Sequence, residues 1–142
     1  MRYWDSSALV PLIVREPASL TLERLLRQNS FIVSCWMTSL ECWSALVRKK
    51  RDEVLTEEKL ERAKERLDGF TQAMDIVPPT QRLKQVAMRL LSVHTLRAGD
   101  AVQLASALMW CHDHPKDAEF VTLDARLRSA ALAEGFRVVP SL

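Results

Sequence analysis

Four acidic side chains, Asp5, Glu41, Asp100 and Asp124, each stand just after an expected strand or at the start of an expected helix. In a sheet whose strands run parallel, the loops leaving the carboxyl ends converge on one crevice, so acids far apart in sequence can meet there. Carboxylates forced together repel one another unless a cation neutralises them. Hard oxygen donors of this kind select Mg²⁺ or Mn²⁺ over zinc. The chemistry suggested is that of a metal-binding acidic pocket.

Each acid also has a purely local reading. Asp5, in YWDSSAL, can cap the helix that follows it. Thr38-Ser39-Leu40-Glu41 reads as a capping box in which Glu41 reaches back to the Thr38 N–H. Asp100, after Arg97-Ala98-Gly99, can stabilise a helix dipole by roughly 0.3–1 kcal/mol, and Asp124 can cap the Ala125 helix. Context supports the shared pocket, because the apolar neighbours in AGDAVQLASAL and FVTLDARL place Asp100 and Asp124 at a sheet edge rather than on an open surface.

These acids need elements to carry them. Arg2 to Trp4 reads as a short buried strand, and Ser6 to Arg15 as a helix with Leu9, Leu12 and Ile13 at helical spacing. Pro17 opens a helix to about Gln28, Phe31 to Val33 makes a second strand, and Thr38 begins a helix to about Lys50. The interleaved charges of Thr56 to Phe70 predict an exposed helix forming a hairpin with its predecessor. Ile76 and Val77 read as a third strand, followed by a helix from about Gln81 to His94. Gly99-Asp100 opens AVQLASALMW, whose small apolar residues imply close central burial. Phe120 to Leu123, a helix from about Ala125 to Glu134, and a strand Phe136 to Val139 complete the chain. The alternation predicts an α/β fold with a central parallel sheet of four to five strands and helices on both faces.

A length of 142 residues fits one domain, spanning 1–142. The balance of 48% hydrophobic and 27% charged residues, with only 3 glycines, describes an ordered, helix-rich globule rather than a disordered or fibrous chain. The opening MRYWDSSALVPLIVREP lacks a basic n-region and a small-residue cleavage site, so neither a signal peptide nor a membrane span is expected. Cys35, Cys42 and Cys111 are odd in number and lack CxxC spacing, which argues against a disulfide framework or structural zinc and fits a reducing cytoplasm. A net charge of +2 leaves any polyanion to be held by local patches.

YWDSSALVPLIVRE, TSLECWSAL, RAGDAVQLASAL and VTLDARL, in that order across nearly the whole chain, resemble the PIN-domain nucleases and specifically the VapC-type toxins of bacterial toxin–antitoxin pairs. Ser6 stands where such proteins often carry threonine, a conservative departure, and no carboxylate is missing. The resemblance implies a single PIN-like domain with a metal pocket of Asp5, Glu41, Asp100 and Asp124, in which Ser7 and Thr122 support the first and last aspartates by hydrogen bonding. It further implies Mg²⁺, with Mn²⁺ as a substitute, and an RNA substrate, single-stranded or looped, cut to a 5′-phosphate and a 3′-hydroxyl. A cognate antitoxin and a homodimer complete the expected partners. Because Mg²⁺ takes one or two protein carboxylates and keeps several waters, Asp5 and Asp100 are the expected direct ligands. Glu41 and Asp124 would then bind a second ion about 4 Å away or orient water. Arg97, three residues before Asp100, is the candidate for a substrate phosphate.

Other features have two readings each. Arg48-Lys49-Lys50-Arg51 can contact phosphates or complement a helix dipole. Trp36 can stack on an unpaired base or fill a core or interface. Trp43, Leu46 and Val47 form a stripe facing the helical hairpin or an antitoxin segment. WCHDHP reads as a frayed helix end rather than a zinc site, and no GxSxG elbow supports a serine triad. A receiver-like signalling domain would need paired acids after the first strand, an aspartate after the third and a late lysine. Here a single acid, Pro78-Pro79 and no lysine beyond Lys116 occupy those places. A PIN-like scaffold that binds RNA without cutting it is the third reading.

Overall fold

Five three-residue strands make one wholly parallel sheet in the order β3-β2-β1-β4-β5. They are β1 Arg2–Trp4, β2 Val33–Cys35, β3 Asp75–Val77, β4 Glu119–Val121 and β5 Arg137–Val139. The computed structural model describes residues 1–141. Among them the helices are α1 Ser6–Ile13, α2 Ser19–Gln28, α3 Thr38–Arg51, α4 Glu57–Ala73, α5 Gln81–Val93, α6 Ala98–Trp110 and α7 Ala125–Glu134. No helix among the described residues is long and apolar enough to cross a membrane.

Alternation along each strand divides the core. Tyr3, Cys35 and Phe120 enter one layer with α5, α6 and α7, while Trp4 and Val121 enter the other with α1 to α4. The Tyr3 and Phe120 rings stack at 5.4 Å across β1 and β4. Covered on both faces, the central strands carry no exposed residue, as a parallel sheet requires. In α6, Ala101, Ala105 and Ala107 let the helix backbone approach the sheet, so the helix is buried at the centre as its composition predicts.

The strand order sets the place of a site. From β1 the chain winds outward through β2 to β3, then returns to the far side of β1 for β4 and β5. Ligands of open parallel sheets bind outside the carboxyl ends where the order reverses, here between β1 and β4. Asp5 leaves β1 at this point, its N–H donating to the Val121 carbonyl at the end of β4 (3.0 Å). A receiver domain sets β3 beside β1. This sheet sets β4 there, which excludes the receiver reading.

Three local expectations need correction. The second strand lies at Val33–Cys35, not Phe31 to Val33, and Phe31 is 75% exposed. Pairing of Val33 with Tyr3 fixes the later register, and Ser34 tolerates burial because its hydroxyl donates to the Trp4 carbonyl. Pro17 lies in a turn and α2 starts at Ser19, whose hydroxyl accepts the Glu16 N–H (2.9 Å). The end of α6 is not frayed: Cys111 is buried, and His112 and Asp113 take left-handed φ of 52° and 60° as the Asp113 N–H returns to the Leu108 carbonyl.

A polar clamp joins α5 to α7. Glu134 accepts from Arg89 (2.7 Å) and contacts His94 Nε2 (2.7 Å). The Arg89 guanidinium holds the Glu134 carboxyl below its ordinary range, with His94 adding to the effect against burial. A depressed carboxyl contributes stability above its unfolded pKa and loses it as pH falls through the folded value. Glu134→Gln is therefore expected to cost about 1 kcal/mol at neutral pH, since Arg89 is half exposed and screened. Thermal melts across acidic pH should show the difference from wild type shrinking as Glu134 protonates.

Candidate active site

Asp5 sits at the N-cap position of α1, yet its carboxylate caps nothing there. The Ser7 and Thr122 hydroxyls both donate to its Oδ2, Thr122 at 2.8 Å. The same hydroxyl oxygens accept the Leu123 N–H (2.9 Å) and the Asp124 N–H (3.0 Å), so the segment after β4 is pinned to Asp5. Oδ1 has only a long contact with Ser6, at 3.3 Å. Burial pushes the Asp5 carboxyl above the ordinary aspartate range; the two hydroxyls oppose the rise and the Asp124 charge adds to it.

Asp124 takes up the capping role expected of it. Its Oδ1 accepts the Leu127 N–H (2.9 Å) and caps α7, while its charge is felt at Asp5. Asp100 is the third residue of α6, and its Oδ2 accepts the Arg97 N–H (3.2 Å). The capping box expected of Glu41 does not form. Met37 holds the N-cap position, and the Thr38 hydroxyl turns inward to accept the Cys35 N–H (3.2 Å). Glu41 Oε1 instead accepts from Gln103 Nε2 at 2.6 Å. Its Oε2 lies where a Cβ on Gly99 would come within 3.1 Å, so the glycine beside Asp100 makes room for the glutamate. Burial raises the Glu41 carboxyl, Gln103 opposes this, and the charges of Asp5 and Asp100 add to the rise.

These couplings link acids from four separate segments. Among the described residues no Lys, Arg or His forms an ion pair with Asp5, Glu41, Asp100 or Asp124. Nor do three His, Cys, Asp or Glu side chains among the described residues close into a ready ligand cage. Uncompensated hard oxygen donors fit a Mg²⁺ or Mn²⁺ ion that keeps much of its own water. The fit is one of donor type and charge.

Around the acids, sequence reasoning missed Gln103 and left Arg48 within a basic run that had two readings. Gln103, the lone amide in AVQLASAL, is fully buried against Glu41, and an amide inside an apolar helix was the available signal. Arg48 lines a cleft of about 290 Å³ with Ser6, Ser7, Glu41 and Ser44, whereas Lys49 and Lys50 pair with Glu16 and Glu57. Arg97 is exposed at the start of α6. Trp36 is 43% exposed rather than in the core, and lines an apolar groove with Pro79, Met88 and Leu91. Leu46 of the α3 stripe is buried, and Trp43 packs against the same core.

A wholly parallel α/β sheet with Asp5 at its reversal point is the frame here, and this chain belongs to the PIN-domain family, whose model matches residues 2–135. Within that family it is of the VapC type. Ribonuclease VapC49 of Mycobacterium tuberculosis H37Rv is 34% identical over 141 residues, 98% of this chain and 94% of the relative. Ribonuclease VapC46 of the same strain is 33% identical over 137 residues, 96% and 95% of the two chains. The fold is shared with VapBC2 from Rickettsia felis bound to a promoter DNA fragment, at a TM-score of 0.65, 16% identity and 98% of each chain. FitAcB from Neisseria gonorrhoeae is similar at a TM-score of 0.65 and 15% identity, over 99% of this chain and 97% of that one.

Proposed function

We propose that this protein is the toxin of a toxin–antitoxin pair, a Mg²⁺-dependent endoribonuclease that works in the cytoplasm as a homodimer and is silenced by its antitoxin. The observation that carries this reading is that Asp5, at the sheet's reversal point, and Glu41 feel the charges of Asp124 and Asp100 with no ion-pair partner among the described residues. The VapC ribonucleases similar to it over nearly full length support the same activity. Asp5 and Asp100 would hold the ion directly, and Glu41 and Asp124 would hold a second ion or orient water. Mn²⁺ would substitute. Once bound, the ion supplies an activated water and neutralises phosphate charge.

The chain's own residues do the rest. Ser7 and Thr122 fix the Asp5 carboxylate and tie it to the loop bearing Asp124. Arg48, in the cleft beside Glu41, and Arg97, at the start of α6, would take substrate phosphates. An antitoxin that put a basic side chain among the acids would compete with metal, and independent binding of antitoxin and Mg²⁺ would contradict that mode. Cleavage of single-stranded RNA with and without Mg²⁺ tests the activity. Intact RNA in the presence of the metal would favour the non-cleaving scaffold instead.

Gly99 gives a smaller test of the same pocket. A Cβ at 3.1 Å would push Glu41 Oε2 by a few tenths of an ångström. Gly99→Ala is expected to slow RNA cleavage by about three- to tenfold, since small misplacements near reacting groups are costly. Rates compared at equal thermal stability check this.

A further inference from the structure

We infer that Gln103 is a positioning residue that fixes the Glu41 carboxylate, and that Tyr3 in turn fixes Gln103. The inference rests on the nuclease reading above and deepens it. Gln103 is 1% exposed in a helix that otherwise turns mostly small and aliphatic residues inward. A buried amide is costly unless its hydrogen bonds are made. Here they are made: Oε1 accepts from the Tyr3 hydroxyl at 2.7 Å, and Nε2 donates to Thr38 Oγ1 at 3.1 Å and Glu41 Oε1 at 2.6 Å.

The direction of each proton in this relay is forced by its neighbours. Ser34 donates its hydroxyl to the Trp4 carbonyl at 2.6 Å, so in its contact with Thr38 it accepts. The Thr38 proton therefore goes to Ser34, leaving the Thr38 oxygen to accept from the Cys35 N–H and from Gln103. Ionised Glu41 can only accept. Turned over, the Gln103 amide would aim its carbonyl oxygen at two acceptors, so only one orientation satisfies the set. That orientation presents the amide N–H₂ to Glu41. It occupies Oε1 and leaves Oε2, beside Gly99, for the acidic pocket.

The relay runs from the sheet core to the pocket through side chains closed to solvent, and it holds one oxygen of Glu41 so that the other is aimed. Gln103→Met keeps the side chain's approximate volume and removes all three bonds. Mn²⁺ binding by calorimetry is expected to weaken about tenfold in Gln103→Met, the scale of a lost supporting hydrogen bond at a metal site. Tyr3→Phe is expected to weaken it about threefold. For RNA cleavage, kcat should fall in both with KM unchanged. Adding Gln103→Met to Glu41→Gln should leave Mn²⁺ affinity at the Glu41→Gln value, because Gln103 acts only through Glu41. Tyr3→Phe removes a single hydroxyl and carries the test if Gln103→Met does not fold. Wild-type affinity in the folded variants, or a further full loss in the Glu41→Gln background, would overturn the inference while leaving the nuclease reading intact. Wild-type protein that neither binds Mn²⁺ nor cleaves RNA would overturn both.

Discussion

Asp5→Asn is expected to reduce RNA cleavage by about 10³-fold or more, a loss of roughly 4 kcal/mol of transition-state stabilisation, while the protein stays folded. The two expectations have one structural source. Both hydroxyl donors to Asp5 meet the same oxygen, Oδ2, and an asparagine carbonyl oxygen can accept them equally well. The NH₂ group then takes the place of Oδ1, which has only the long Ser6 contact to lose. Burial and the Asp124 charge both disfavour the ionised aspartate, so its removal relieves a cost in metal-free protein. Metal-free Asp5→Asn should melt at or above the wild-type temperature while its activity is gone. Full activity in metal-replete buffer would defeat the ligand assignment. Asp124→Ala would be a poorer test, because it also removes the α7 cap, worth about 1 kcal/mol.

The second large effect is on stability. Burial, and then the charges of neighbouring acids, hold the Asp5 and Glu41 carboxyls above their ordinary range, which disfavours the folded state when they ionise, and a cation bound only by that state reverses the cost. At Mg²⁺ about 100 times above its dissociation constant, binding contributes about 2.7 kcal/mol. For a domain of this size that raises the melting temperature by roughly 8–10 °C. EDTA should return the melt to its starting point, and Asp5→Asn combined with Asp100→Asn should show little response to Mg²⁺. An equal Mg²⁺ response in that double variant would place the ion elsewhere.

Much of the fold was legible because its helices carry a strong periodic signal. The helix Gln81–Val93 lies where its apolar spacing put it, burying Leu83, Val86, Ala87 and Leu90, and the α3–α4 hairpin packs as its charge pattern implies. Strands of three residues carry less information, since their ends are set by partners rather than by their own side chains. The β2 shift shows this: Phe31 has the stronger local strand preference, but pairing with Tyr3 and Asp75 selects Val33–Cys35. At the site, Asp5 and Asp124 stood out because acids just beyond strand ends need only the parallel topology to be read. The local capping signal misled at Glu41, whose partner Gln103 lies 62 residues away. The shared pocket expected of Glu41 and Asp100 draws α3 towards α6, but no one-dimensional pattern pairs Glu41 with Gln103 or sets Arg48 in its cleft.

The most direct measurement is anomalous diffraction from crystals of the protein soaked in Mn²⁺. The expected result is a peak within oxygen-ligand distance, about 2.0–2.3 Å, of the carboxylates of Asp5 and Asp100. RNA cleavage by a crystal-competent preparation that shows no Mn²⁺ near these side chains, or Mn²⁺ bound only elsewhere, would contradict it.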